Sequence, residues 1–232
     1  MTEHEWLTAR VPWEMLNFAR ERASARKLRL FACACCRSVL NEFAPGVAER
    51  SLVAAELFAD GELKADTLGQ VRHTLDASAS AATRDAERTG SGYLRYLLYA
   101  CRNACSAAAG PDTVGQNAAL HAARAAADFP LIGAERAESM ELRAECAAQC
   151  ELLRCLVGNP FAPVAFDPAW RTSDAVALAQ SMYESRDFTA MPILADALQE
   201  AGCDNEQVFT HCRDARDHAR GCWVCDALLG KA

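Results

Sequence analysis

Twelve cysteines and five histidines are the residues of this 232-residue chain best suited to chemistry. The C-terminal stretch carries His211, Cys212, His218, Cys222 and Cys225. Cys212-x5-His218-x3-Cys222 places three candidate zinc ligands within eleven residues. Zinc takes four nitrogen or sulfur ligands near tetrahedral geometry, often from spacings this short. Cys222-Trp223-Val224-Cys225 adds a Cys-x-x-Cys, and Cys33 and Cys36 repeat that spacing. The leading metal expectation is therefore one zinc joining the two ends of the chain, drawn from Cys33, Cys36, Cys212, His218 and Cys222. A zinc ribbon keeps its pairs within about 20 residues, whereas roughly 185 separate these. The alternative is that Cys212 packs beside Val208 and both histidines lie on polar surface with Arg213, Asp214, Asp217 and Arg220.

A second spacing supports different chemistry. Cys101 and Cys105 are four apart, as are Cys146 and Cys150. Side chains at i and i+4 stack on one helix face, and paired thiolates inside a bundle suit Cu(I). Copper-storage bundles repeat Cys-x-x-x-Cys around the bundle, and this chain has two such pairs, so Cu(I) ranks behind zinc. The plainer reading is a cysteine standing where alanine would, in tight helix contacts. A third candidate is a redox-sensing thiol at Cys33. Arg29 and Arg37 lie one helical turn before and after it, and cations beside a thiol favour the thiolate.

Other chemistries lack their residues. There is no His-Glu-x-x-His, Gly-x-Gly-x-x-Gly or Gly-x-x-x-x-Gly-Lys. Thr89-Gly90-Ser91-Gly92 only superficially resembles a nucleophile elbow, because its first glycine is missing and no strand precedes it. Thioredoxin-like chemistry needs a βαβ setting for its Cys-x-x-Cys. These absences lean away from an enzyme.

The elements that must position the thiols are helices. The chain has 48 alanines against 11 valines and 2 isoleucines, which favours helix over strand. An all-α bundle of about nine to eleven Ala-rich helices is expected. Pro12 opens a short one, and Ser24 caps a second running to about Phe43. Further helices are predicted near Val47–Asp60, Ala65–Glu87, Tyr93–Ala109, Thr113–Phe129 and Ala134–Val157. Prolines and large apolar residues then mark an extended stretch near 159–171. Helices return near Asp174–Ser185, with Thr172 or Ser173 as cap, and near Ala190–Ala201. Asp204 with Gln207 resembles a capping box for the next, and a last short helix carries Trp223. The division expected is a helical bundle over 1–158, with a helical segment over 159–232 packed on it as one compact unit.

A net charge of −7 excludes bulk nucleic-acid binding. No apolar run nears the ~18 residues of a membrane span. The acidic start, Met1-Thr2-Glu3-His4-Glu5, lacks the basic and apolar parts of a signal peptide, so a cytoplasmic location is expected, where thiols stay reduced.

The string Arg26-Lys27-Leu28-Arg29-Leu30-Phe31-Ala32-Cys33-Ala34-Cys35-Cys36-Arg37 resembles an uncharacterised family of bacterial proteins. The resemblance resumes at Asn159-Pro160-Phe161 through Trp170. It continues from Pro192 through Leu198 to Cys203, and from His211-Cys212-Arg213 to Gly221-Cys222-Trp223-Val224. That family has an apolar residue where this chain has Cys225. The resemblance carries no activity, and implies that the chain ends form one framework around a variable helical middle. The reading that follows is a non-enzymatic interaction or scaffold protein with buried free thiols, acting through a protein partner or self-association. The alternatives are a thiolate metal-binding protein and a Cys33 redox sensor.

Overall fold

The computed structural model describes residues 1–40, 46–89, 93–106, 140–214 and 216–231, the side chains of 86, 88, 89 and 140–142 apart. Among them are eleven α-helices, one short 3-10 turn and no strand. The first six are α1 (Glu3–Thr8), α2 (Pro12–Ala19), α3 (Ala25–Ser38), α4 (Gly46–Ala59), α5 (Ala65–Thr89) and α6 (Tyr93–Ala104). Then come α7 (Met140–Val157), the 3-10 turn (Pro168–Trp170), α8 (Ser173–Ser185), α9 (Met191–Glu200), α10 (Glu206–Arg213) and α11 (Trp223–Leu229). The expected helix over 113–129 and the expected start of the next at Ala134 lie outside the described residues.

Local chemistry sets the boundaries. Ser24 Oγ accepts the Lys27 amide at 3.3 Å and Thr172 Oγ1 accepts that of Ala175 at 3.3 Å, so both caps form. The expected cap at Asp204 moves by one residue: Asn205 Oδ1 takes the amides of Gln207 and Val208. α6 stops at Ala104, short of the expected Ala109. The buried Arg29 guanidinium donates to the Ala104 and Ser106 carbonyls at 2.6 and 2.9 Å, satisfying acceptors that a helix end leaves open.

α3 is the hub. It is buried through most of its length and packs against α4, α6 and α7. α5 covers α4 and α6, and α2 lies on α7. α8 rests on α9 and α11, α9 on α10, and α11 reaches back to α7. The stretch after α7 is apolar enough to pack. Phe161 stacks on Phe18 with ring centroids 5.0 Å apart, and Trp170 meets Phe166 edge-on.

Buried ion pairs bind the C-terminal helices to the N-terminal ones. The fully buried Asp60 carboxylate accepts Arg26 Nε at 2.8 Å, the Tyr183 hydroxyl at 2.7 Å and Arg220 Nη2 at 2.6 Å. Glu56 accepts from Arg37 and Arg186, and Asp226 from Arg26. Buried charges are tolerated only when paired in this way. No helix among the described residues is long and apolar enough to cross a membrane.

Candidate metal centre

Cys155, His211, His218 and Cys222 bring one ligand atom each to within 4.8 Å of one another. They come from three places in the fold. Cys155 lies in the last turn of α7, beside Leu152 and Leu156 on the buried side. That turn is fixed from outside. Arg154 donates Nε to the Trp6 carbonyl at 3.0 Å and Nη2 to that of Ala9 at 2.7 Å. Trp6 Nε1 in turn donates to the Gly158 carbonyl at 3.1 Å.

His211 sits in the last turn of α10, with Val208 and Cys212 also facing inward. The Asp214–Cys222 connection then carries His218, and Cys222 is the first residue before α11. Gly221 holds this connection against α3. Its φ is +93°, and a Cβ there would lie 2.7 Å from Leu30 Cδ1, so only glycine fits. Lys27 Nζ donates to the Gly221 carbonyl at 2.6 Å and also pairs with Asp226, pinning the approach to Cys222 from both sides.

The donor atoms lie near, though not at, the spacing of a coordination polyhedron. His211 Nε2 is 3.1 Å from Cys222 Sγ, and His218 Nδ1 is 3.6 Å from Cys155 Sγ. Zinc bonds of about 2.3 Å to sulfur and 2.0–2.1 Å to nitrogen set ligand atoms roughly 3.3–3.8 Å apart. The two imidazoles meet edge to face with centroids 4.8 Å apart, and His211 leans on Trp223 at 5.3 Å. Aromatic packing thus orients both rings.

The electrostatics agree. Burial opposes ionisation of Cys222. Hydrogen bonds from Cys155 and Cys225, with His211 alongside, overcome it and hold this thiol well below the ordinary value. Cys155 goes the other way, through its hydrogen bond to Cys222 and then burial. One thiolate is thus favoured without a metal, and a dication beside the pair would favour the second. His218 Nε2 is shut off from solvent and has no hydrogen-bond partner among the described residues. The other ring nitrogen, Nδ1, is the one that faces Cys155 and the position an ion would take. The residues present therefore fit a metal ion.

Of the expected ligands, His218 and Cys222 lie in this cluster. Cys33, Cys36 and Cys212 do not. Cys36 faces Cys101 in a thiol–thiol contact between α3 and α6. Cys33 lies among Glu56, Cys105 and the two arginines. Cys212 is buried near Cys203 and Cys222. The expected Cu(I) pairs also turn to other partners. Cys105 donates its thiol to the Ser51 carbonyl at 3.3 Å, and Cys150 lies near Cys35. Cys146 is half-buried. Cys101 sits on α6 with Cys105 just past its end, and Cys146/Cys150 sit on α7; both helices pack on α3.

The Cys33 expectation is corrected. Burial raises this thiol well above its ordinary value, and Glu56 and Cys105 add to the rise. Arg37 is committed to Glu56 and Glu49, and Arg29 to backbone carbonyls, and their lowering effect is outweighed by burial. Cys155 and His211 are the residues that spacing missed. His211 lies in the stretch that supplies the expected ligands, but that set takes its neighbour Cys212 instead. Cys155 gave no signal beyond its apolar neighbours.

Comparison with protein-family models, characterised proteins and solved structures finds no match. The chemistry of the cluster itself is the basis for a function.

Proposed function

We propose that this is a metal-binding helical protein that holds one zinc ion through Cys155, His211, His218 and Cys222. The observation that carries the reading is the convergence of two sulfurs and two imidazole nitrogens from α7, α10 and the Asp214–Cys222 connection. Two thiolates and two neutral imidazoles make a soft, closed set with no position left for a substrate, which is the pattern of a structural rather than a catalytic zinc. The ion would tie α10 and α11 to the end of α7 and so complete the attachment of the C-terminal helices. A non-enzymatic scaffold role accords with that closed set. Zinc supplies no redox chemistry here; its contribution is cohesion.

The test is metal content by plasma mass spectrometry, on protein purified reduced and without chelator or metal-affinity resin. One zinc per chain is expected, falling to background in Cys222→Ser and unchanged in Cys36→Ser. Absence of zinc after incubation with one equivalent, or zinc retained by Cys222→Ser, overturns the assignment. Several copper ions per chain after Cu(I) loading, with no zinc, would move the site to the α6 and α7 pairs instead.

A further inference from the structure

The C-terminal cluster contains one thiol more than the ion needs. Cys225 is buried and lies outside the four-atom set, yet it stands three residues after Cys222, in the first turn of α11. Its other sulfur neighbour is Met191 Sδ, 3.9 Å away. Cys222 therefore touches two thiols, Cys155 across the site and Cys225 one turn along its own helix.

We propose that Cys225 is the oxidation partner of Cys222, so that a hydroperoxide converts the pair to a disulfide and expels the metal. This rests on the zinc reading for what is released. Cys222 stands immediately before α11 and Cys225 is its third residue. Residues three apart in a helical turn have Cα atoms roughly 5–6 Å apart, inside the 4.4–6.8 Å window of a disulfide. The bond thus forms without moving α11. Cys155 belongs to a different helix and is itself a ligand, so its use would consume two ligands at once.

The chemistry balances in two steps. The Cys222 thiolate attacks one peroxide oxygen, the O–O bond breaks, Cys222 becomes a sulfenic acid, and the departing alkoxide takes a proton from solvent to leave as an alcohol (water, for hydrogen peroxide). The Cys225 sulfur then attacks the sulfenic sulfur. Its proton departs with the displaced hydroxide as water. The two cysteines lose two electrons and the peroxide gains them. Zinc changes no oxidation state and leaves because only Cys155, His211 and His218 remain to hold it.

Access sets the rate. Cys222 and Cys225 are both fully buried. The imidazole of His211, 3.1 Å from Cys222 Sγ, lines a cavity of about 440 Å³ with Glu3, Trp6, Glu206 and Trp223. Cys33 has no such arrangement: among the described residues it pairs with no imidazole, and burial raises it.

The experiment treats zinc-loaded protein with hydrogen peroxide. A chromogenic zinc indicator follows release, and peptide mass mapping locates disulfides. Release is expected to track formation of a Cys222–Cys225 disulfide, with dithiothreitol and zinc restoring the starting state. Cys225→Ala should still bind one zinc. After peroxide its metal should not return with dithiothreitol, because an unresolved sulfenic acid proceeds to sulfinic acid. Cys225→Ser serves if the alanine variant fails to fold. A wild-type disulfide between Cys155 and Cys222, no disulfide at all, or full recovery by Cys225→Ala overturns the proposal. If the chain takes up no zinc, the metal reading fails separately, and the same mapping still reports whether Cys222 and Cys225 pair.

Discussion

Cys33, Cys35, Cys36, Cys101, Cys105 and Cys150 gather around α3, while Cys155, Cys212, Cys222 and Cys225 gather where α7, α10 and α11 meet. Both groups are buried and rich in sulfur. Around α3 a thiol meets another thiol, a backbone carbonyl, or a buried carboxylate such as Glu56 or Glu145. Burial and the nearby carboxylates favour the protonated form there, and Cys105 is pushed up to about 12, chiefly by burial. Around α11 the thiols meet two imidazoles, and Cys222 is pulled down instead, by Cys155 and Cys225 first and then by His211. Cysteine density is thus a poor guide to function. The denser group is packing, and the sparser one has the mixed donors an ion needs.

The contrast breaks most decisively on metal content. His211→Ala should lose the zinc entirely, and Cys36→Ala should keep one per chain. Chelation should lower the melting temperature of the wild type and leave that of His211→Ala unchanged; equal responses would erase the distinction between the two groups.

Next in size is the frame that presents the C-terminal group. Asp60→Asn strips a buried acceptor from Arg26, Arg220 and Tyr183. Breaking a buried pair from one side costs about 3–5 kcal/mol, so urea unfolding should shift by that order. A change below about 1 kcal/mol would show that the network is not what attaches these helices.

Within the α3 group the effects are smaller. Cys36→Ala removes a sulfur from a closed contact with Cys101 and should cost about 1–2 kcal/mol by cavity formation, with no change in metal. The smallest is a pH effect at Glu145, which accepts from Ser38 and Gln149 and is raised by burial despite those bonds. A carboxyl raised in the folded state favours its protonated form there. The wild type is then fully stable below the ordinary carboxylate range and loses stability as pH rises through that range and the raised value. Glu145→Gln should match the wild type near pH 4 and exceed it at pH 7. Thermal melts at the two pH values decide it, and equal melting temperatures at pH 7 would remove burial as the dominant influence.

Much of the fold was legible, because helix signals are local. Alanine content gave the class, and Ser24 and Thr172 were read as caps from their positions ahead of apolar periodicity. The end of α6 was not, since it is set by Arg29, more than seventy residues earlier. The site divided along the same line. His218 and Cys222 are four apart and visible together. His211 and Cys212 are neighbours on α10, and which of them joins the cluster depends on a rotation of one residue about the helix axis. Cys155 is joined to the others only by the docking of α7, which no spacing encodes.

That docking has a kinetic consequence. Cys155 and His218 are 63 positions apart, and closing so long a loop is a late and unfavourable step in chain collapse. A half-site of His211, His218 and Cys222 exists as soon as α10 and α11 form, whereas the fourth ligand arrives only with tertiary assembly. Tight capture of the ion would then follow the clock of folding rather than the concentration of metal. During refolding, zinc uptake would saturate in rate as zinc is raised, making the ion a stopwatch for the moment α7 and the C-terminal helices meet.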